Sequence, residues 1–146
     1  MRVVIDTNVL VSALLHGRSL PYQLIALWRQ GRVTLVTSRE QLDELRRVTR
    51  YPKLRARLNP AVAGRLVNEL KAHAIVIEKL PEVSISPDPW DNYLLATIEE
   101  GKAEILITGD KADLLALERH AGARIVTVRE CLKLVTGIEP EVRPLS

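Results

Sequence analysis

Hydrophobic positions along this chain fall into short consecutive runs separated by longer stretches where they recur every third or fourth residue. The short runs are Val3 to Ile5, Val33 to Val36, Ile75 to Ile77, Ile105 to Ile107 and Arg124 to Val126. Rich in Val and Ile, they predict buried strands. Residues 8–16 and 20–30 predict helices, with Leu24, Leu27 and Trp28 at helical spacing and Gly31 as the stop. Ser38 is placed to cap a helix reaching about Thr49: its hydroxyl meets the free amide of Gln41, whose side chain reaches back. Tyr51-Pro52 breaks the pattern. A short helix is predicted over 54–58, and Asn59-Pro60 opens another that ends near Ala74.

Pro81, Pro87 and Pro89 mark 80–89 as a loop. Helices follow at 90–100, ending at Gly101, at 111–120, stopped by Gly122, and at 130–135. Strands alternating with helices predict an α/β three-layer sandwich around a parallel sheet of about five strands. Residues 1–136 make a single domain, and 137–146, with two prolines, a loose tail.

Composition adds limits. The length of 146 residues suits one domain with a proper core. A single cysteine, Cys131, leaves no internal disulfide and suits a reducing cytosol. No secretory signal pattern is visible, and no apolar run approaches the ~20 residues of a membrane helix. The expectation is a cytoplasmic protein without a membrane partner. Net charge is +3. From Leu45 to Pro60 there are six basic residues (Arg46, Arg47, Arg50, Lys53, Arg55, Arg57) and no acidic one, a block that suits a phosphate backbone. Aromatics are few: Trp28, Trp90, Tyr22, Tyr51, Tyr93 and no Phe. That scarcity argues against a module that stacks single-stranded bases on aromatic platforms.

The candidate chemistry is acidic. In an open α/β sheet, ligands bind beyond the carboxyl ends of the strands. Asp6 follows the first strand and Asp110 follows the Ile105 strand, in Thr108-Gly109-Asp110. Glu44 lies on the helix after the second strand, one turn beyond Glu40, which suits the helix dipole in the first turn. Asp91 opens the helix before the Asp110 strand, with Asp88 as second choice. Carboxylates gathered at one spot repel one another and stay ionised together only with a cation. Oxygen-only ligands suit Mg²⁺ or Mn²⁺. Each acid could instead cap a helix or pair with a base, as Glu44 could with Arg47. His16, His73 and His120 have no ligand spacing, and no Gly-rich phosphate loop or Ser-His-Asp pattern is present.

Taken in order, Val-Val-Ile-Asp-Thr-Asn-Val-Leu-Val-Ser-Ala-Leu at 3–14, Ser38 with Glu44, Asp-Pro-Trp-Asp-Asn-Tyr-Leu-Leu-Ala at 88–96 and Ile-Thr-Gly-Asp-Lys-Ala-Asp-Leu-Leu at 107–115 resemble PIN domains. The resemblance spans nearly the whole chain and is closest to the bacterial subgroup described as toxins of toxin–antitoxin pairs. Trp90 departs from the subgroup, which more often has an acidic residue there; Thr97-Ile98 replaces small residues.

The resemblance implies a five-stranded parallel sheet and a ribonuclease dependent on one or two Mg²⁺ or Mn²⁺ ions. It implies an acidic set of Asp6, Glu44, Asp91 and Asp110, supported by Asn8, Thr108 and Asp88. Asp6 and Asp110 would be direct ligands. Arg46, Arg47, Arg50 and Lys53 would hold RNA without reading its sequence. A cognate antitoxin and a homodimer are implied as partners. Two other readings stand beside it: a catalytically silent PIN-like scaffold, and a phosphatase with Asp6 as nucleophile, which the Asn8 in place of a second aspartate disfavours.

Overall fold

Side chains alternate across each strand of a twisted sheet, so a strand covered on both faces sends its residues into two separate cores. The computed structural model, which describes residues 1–109 and 112–141, shows that division. Val3, Ile5, Leu35, Ile105, Ile107 and Val126 enter one core. Val4, Val36, Leu106 and Ile125 enter the other. The result is the expected three-layer α/β sandwich.

The elements run β1 (Arg2–Ile5), α1 (Thr7–Leu15), α2 (Leu20–Arg29), β2 (Thr34–Ser38), α3 (Arg39–Val48), α4 (Pro52–Arg55), α5 (Pro60–His73), β3 (Ile75–Ile77), α6 (Pro89–Gly101), β4 (Ile105–Thr108), α7 (Ala112–Leu117), β5 (Arg119–His120), β6 (Ala123–Thr127) and α8 (Val128–Thr136). The core beneath α1, α2, α3, α5 and α8 is the larger, built around Leu10, Leu24, Leu45, Leu66 and Leu70. On the other face α6 contributes Leu94, Leu95 and Ile98, and α7 contributes Leu114.

Strand order is β3-β2-β1-β4-β6-β5. All neighbours pair in parallel except β5 and β6. The chain therefore builds outward from β1 on one side, then crosses to build β4 and β6 on the other. The junction of β1 and β4 is the switch point, where open α/β sheets place their ligand crevices.

Four details of the sequence reading need correction. To the expected parallel strands the sheet adds one short antiparallel edge strand, β5, making six. Residues 111–120 were expected to be one helix; instead α7 ends at Leu117 and Arg119–His120 pairs back on β6. A two-residue turn makes this hairpin, with Ala121 at φ 49° and Gly122 at φ 84°. Positive φ at both central residues is what a tight hairpin turn needs. Gly101 does not end α6 through a left-handed backbone either; Lys102 does, at φ 51°. Gly101 is required by contact, because a Cβ there would lie 2.5 Å from Val36 Cγ1. Finally, the capping box at Ser38 forms by half. Ser38 Oγ accepts from the Gln41 amide at 3.1 Å, but the Gln41 side chain turns into the sheet.

Beyond α8, Arg129 Nη1 donates to Glu139 Oε1 and to the Pro140 carbonyl, both at 3.0 Å. Gln23 Nε2 donates to the Glu141 carbonyl at 2.9 Å.

Candidate active site

Asp6 follows the last residue of β1, and its amide donates to the Ile107 carbonyl of β4 at 2.8 Å. The side chain is thereby fixed at the switch point. It is 3% exposed. Asp6 Oδ1 accepts from the Asn8 amide at 3.3 Å, capping α1, and Oδ2 accepts from Thr108 Oγ1 at 3.1 Å. Capping and site-building are therefore combined in one residue. The free amides at the start of α1 favour a negative charge here.

Gln41 locks the neighbouring strand ends together. Its Nε2 donates to the Ile5 carbonyl and to Thr7 Oγ1, and its Oε1 accepts from Thr37 Oγ1 at 2.6 Å. One buried amide thus joins the end of β1, the start of α1 and the end of β2. Its role was not legible as anything more than a helix cap.

Glu44 is half-buried on α3, one turn further on. It shares with Asp6, Thr7, Asn8, Ser38 and Gln41 a cavity of about 140 Å³. Val48 and four residues of α6, Trp90, Tyr93, Leu94 and Thr97, form the remaining wall. None of these lining residues is basic. The helix geometry divides the basic run. Residues three apart differ by about 60° around an α-helix and four apart by about 40°. Arg47 therefore shares the face of Glu44, and its guanidinium lies over the Trp90 ring, 4.8 Å from the centroid. Arg46 and Arg50 share a different face. Both line a depression against α5 with Thr49, Ala63 and Asn68, and Arg46 also lies 3.5 Å from Asp43. Lys53 is exposed on α4.

The start of α6 is held by a small polar network. Asn92 Oδ1 accepts from the Ile85 and Ser86 amides, and Asn92 Nδ2 donates to the Ser86 carbonyl. Ser86 Oγ donates to Asp91 Oδ2 at 3.0 Å. Asp91 is 2% exposed and lies outside the cavity lining. Asp88 Oδ1 accepts from the Trp90 amide at 2.9 Å, so Asp88 caps α6. Ser86 and Asn92 were missed in the sequence; a serine in a proline-rich loop and an asparagine at the start of α6 carry no signal until the loop folds back.

Asp110 lies outside the described residues. Among the described residues, no three Asp, Glu, His or Cys side chains converge as a metal cluster. The structure brings Asp6, Asn8 and Glu44 into one cavity, with Thr108 bonded to Asp6. Cys131 is buried in the core, and burial pushes its thiol pKa up to about 11.

The model of the PIN domain matches residues 2–112. The chain belongs to the PIN-domain family. An uncharacterized protein of Methanocaldococcus jannaschii, MJ1680, is 32% identical over 118 residues, covering 80% of this chain and 75% of that protein. Among solved structures, this PIN chain is similar in fold to a chain in the crystal structure of VapBC2 from Rickettsia felis bound to a DNA fragment from their promoter. The TM-score is 0.58 at 16% identity, with 87% of this chain and 98% of that one covered. The family match over residues 2–112 includes β1 and β4, and so the switch point.

Proposed function

We propose that this PIN domain is a metal-dependent endoribonuclease that hydrolyses RNA phosphodiester bonds, acting as the toxin of a toxin–antitoxin pair. The observation that carries the reading is the meeting of Asp6 and Glu44 in one cavity at the sheet's switch point. Carboxylate, amide and hydroxyl oxygens are the donors that Mg²⁺ and Mn²⁺ take. Asp6 and Glu44 offer such an ion carboxylate oxygens from two sides of the cavity. Asp6 and Asp110 would hold it, and Glu44 and Asp91 would complete the site or orient the attacking water. When bound, the ion supplies an activated water near neutral pH and neutralises charge on the phosphate oxygens.

The remaining work falls to the chain's own residues. Thr108 and the Asn8 amide fix both Asp6 oxygens in place. Gln41 keeps the ends of β1 and β2 from parting. Val48 and Leu94 give the cavity an apolar side that sheds water. Arg47, on the Glu44 face of α3 and over the Trp90 ring of the cavity wall, would hold a phosphate; Arg46, Arg50 and Lys53 would hold the backbone further away. The same chemistry extends to DNA, because it does not need the 2′-hydroxyl.

Partnership with an antitoxin draws on the fold shared with a VapBC2 chain and on the resemblance in motif. A homodimer belongs to the same reading. The domain is expected to work in the cytoplasm; no helix among the described residues is long and apolar enough to cross a membrane.

The test is incubation of a mixed structured RNA pool with the protein in Mn²⁺, Mg²⁺ or EDTA. Cleavage that needs the metal and disappears in Asp6→Asn/Asp110→Asn supports the reading. Cleavage that persists in EDTA or in the double variant contradicts it. Purified complex with the antitoxin should be inactive and the freed protein active.

A further inference from the structure

Trp90 does not fill the core. The inward positions of α6 are taken by Leu94, Leu95 and Ile98, while Trp90 is 37% exposed and Tyr93 40%. Large aromatic surface left in water beside a polar cavity marks an interaction site more often than a packing defect. These are two of the chain's five aromatic side chains, and both stand at the mouth of the acidic cavity. Tyr93 meets Trp90 nearly perpendicularly, with centroids 5.2 Å apart and an interplanar angle of 77°. Arg47 takes up ring surface of Trp90 at 4.8 Å. The indole is thus in contact with two neighbours and still keeps about a third of its surface in solvent, at 37% exposure. Tyr93 also lines a second depression, with Leu80, Pro81 and Val83, so it forms the partition between that depression and the acidic cavity.

We propose that Trp90 is a stacking platform for one unpaired nucleobase of the substrate, next to the phosphate held between Arg47 and the acidic cavity. The proposal rests on the nuclease reading above and narrows its substrate to a strand with an unstacked base at the cleavage point. Three features of the mouth favour this occupant. A base offers a flat π-face to the indole, as single-strand binders exploit. The guanidinium over the same ring supplies a charge for the adjoining phosphate. The cavity floor is acidic, so an anionic phosphate enters only with a cation, and the neutral base remains outside on the aromatic rim. Because bases stack without regard to identity, the platform selects unpaired over paired nucleotides and does not read sequence.

Binding of the full chain to two oligonucleotides of equal length and charge tests this. One carries bases and the other is abasic; Ca²⁺ replaces Mg²⁺ and Mn²⁺ so that binding is read without turnover. Trp28 is buried at 7% exposure, so quenching of tryptophan fluorescence by the oligonucleotide reports Trp90. The base-bearing strand should quench, and the abasic one should not. In anisotropy, Trp90→Ala should bind the base-bearing strand about tenfold more weakly. It should bind the abasic strand as wild type does, and Trp90→Phe should recover most of the loss. Equal quenching by both strands, or equal weakening of both in Trp90→Ala, would overturn the platform. RNA cleavage in Mn²⁺ by the same preparation separates the two failures. Cleavage without base-dependent binding removes the platform alone; neither cleavage nor binding removes the nuclease reading with it.

Discussion

The middle of the sheet and its carboxyl edge are built from the same strands but obey opposite rules. In the middle, Val3, Val4, Ile5, Leu35, Val36, Leu106 and Ile107 are wholly buried and wholly aliphatic. A residue or two further along, Asp6, Thr7, Thr37, Ser38 and Thr108 are buried almost as deeply and are all polar. Burying a polar group costs free energy unless it is hydrogen-bonded. The edge meets that cost with bonds from Thr108 and Asn8 to Asp6, from Gln41 to Ile5 and from Thr37 to Gln41. An apolar edge would serve stability as well. Polarity concentrated at the switch point is what the proposed chemistry asks of that edge, whereas the middle serves stability.

The largest separation of the two regions should come from Asp6→Asn. The amide keeps the acceptor that caps α1 but lowers the charge. Cleavage should fall on the order of 10³-fold or more, with the melting temperature nearly unchanged. Leu106→Ala should do the reverse. It leaves a cavity in the core beneath α6 and should cost about 2–5 kcal/mol in denaturant unfolding, with cleavage per folded molecule unchanged. Gln41→Leu tests the seam between the regions. It leaves the Ile5 carbonyl and the Thr37 hydroxyl without their partner, at about 1–3 kcal/mol by the same unfolding measurement, and it should lower the cleavage rate as well.

The smallest effect concerns Cys131. Its thiol pKa is raised by burial from 9.0 to about 11, so the neutral form is favoured by the fold. That contribution is complete below pH 9 and is lost as pH rises toward 11. Alkylation at pH 8 should be slow in the folded protein and fast in denaturant, while Cys131→Ala should flatten the decline in stability between pH 9 and 11.

The same contrast governs what the sequence discloses. The sheet's middle is legible because aliphatic runs are local: the five predicted runs all became parallel strands. β5 was hidden because Arg119-His120 has no strand character of its own; it pairs only because Ala121-Gly122 folds it back on β6. At the edge, Asp6 and Glu44 were legible as acids after strands. Their convergence with Trp90 and Arg47 was not, since α3 and α6 meet through tertiary packing. Helical spacing already separates Arg47, on the Glu44 face of α3, from Arg46 and Arg50; what spacing does not show is that α5 lies against the second pair. Low aromatic content suggested no stacking surface. Content says nothing of placement, and Trp90 and Tyr93 stand together.

The most direct test of the central claim is a calorimetric titration of Mn²⁺ into wild type, Asp6→Asn and Glu44→Gln, with Glu78→Gln as a control at an exposed ion pair with Arg39. The account predicts binding to wild type and Glu78→Gln, clear weakening in Glu44→Gln, and loss in Asp6→Asn, with all four proteins folded. Undiminished binding to folded Asp6→Asn would place the metal elsewhere and contradict the assignment of the carboxyl edge as the reactive centre.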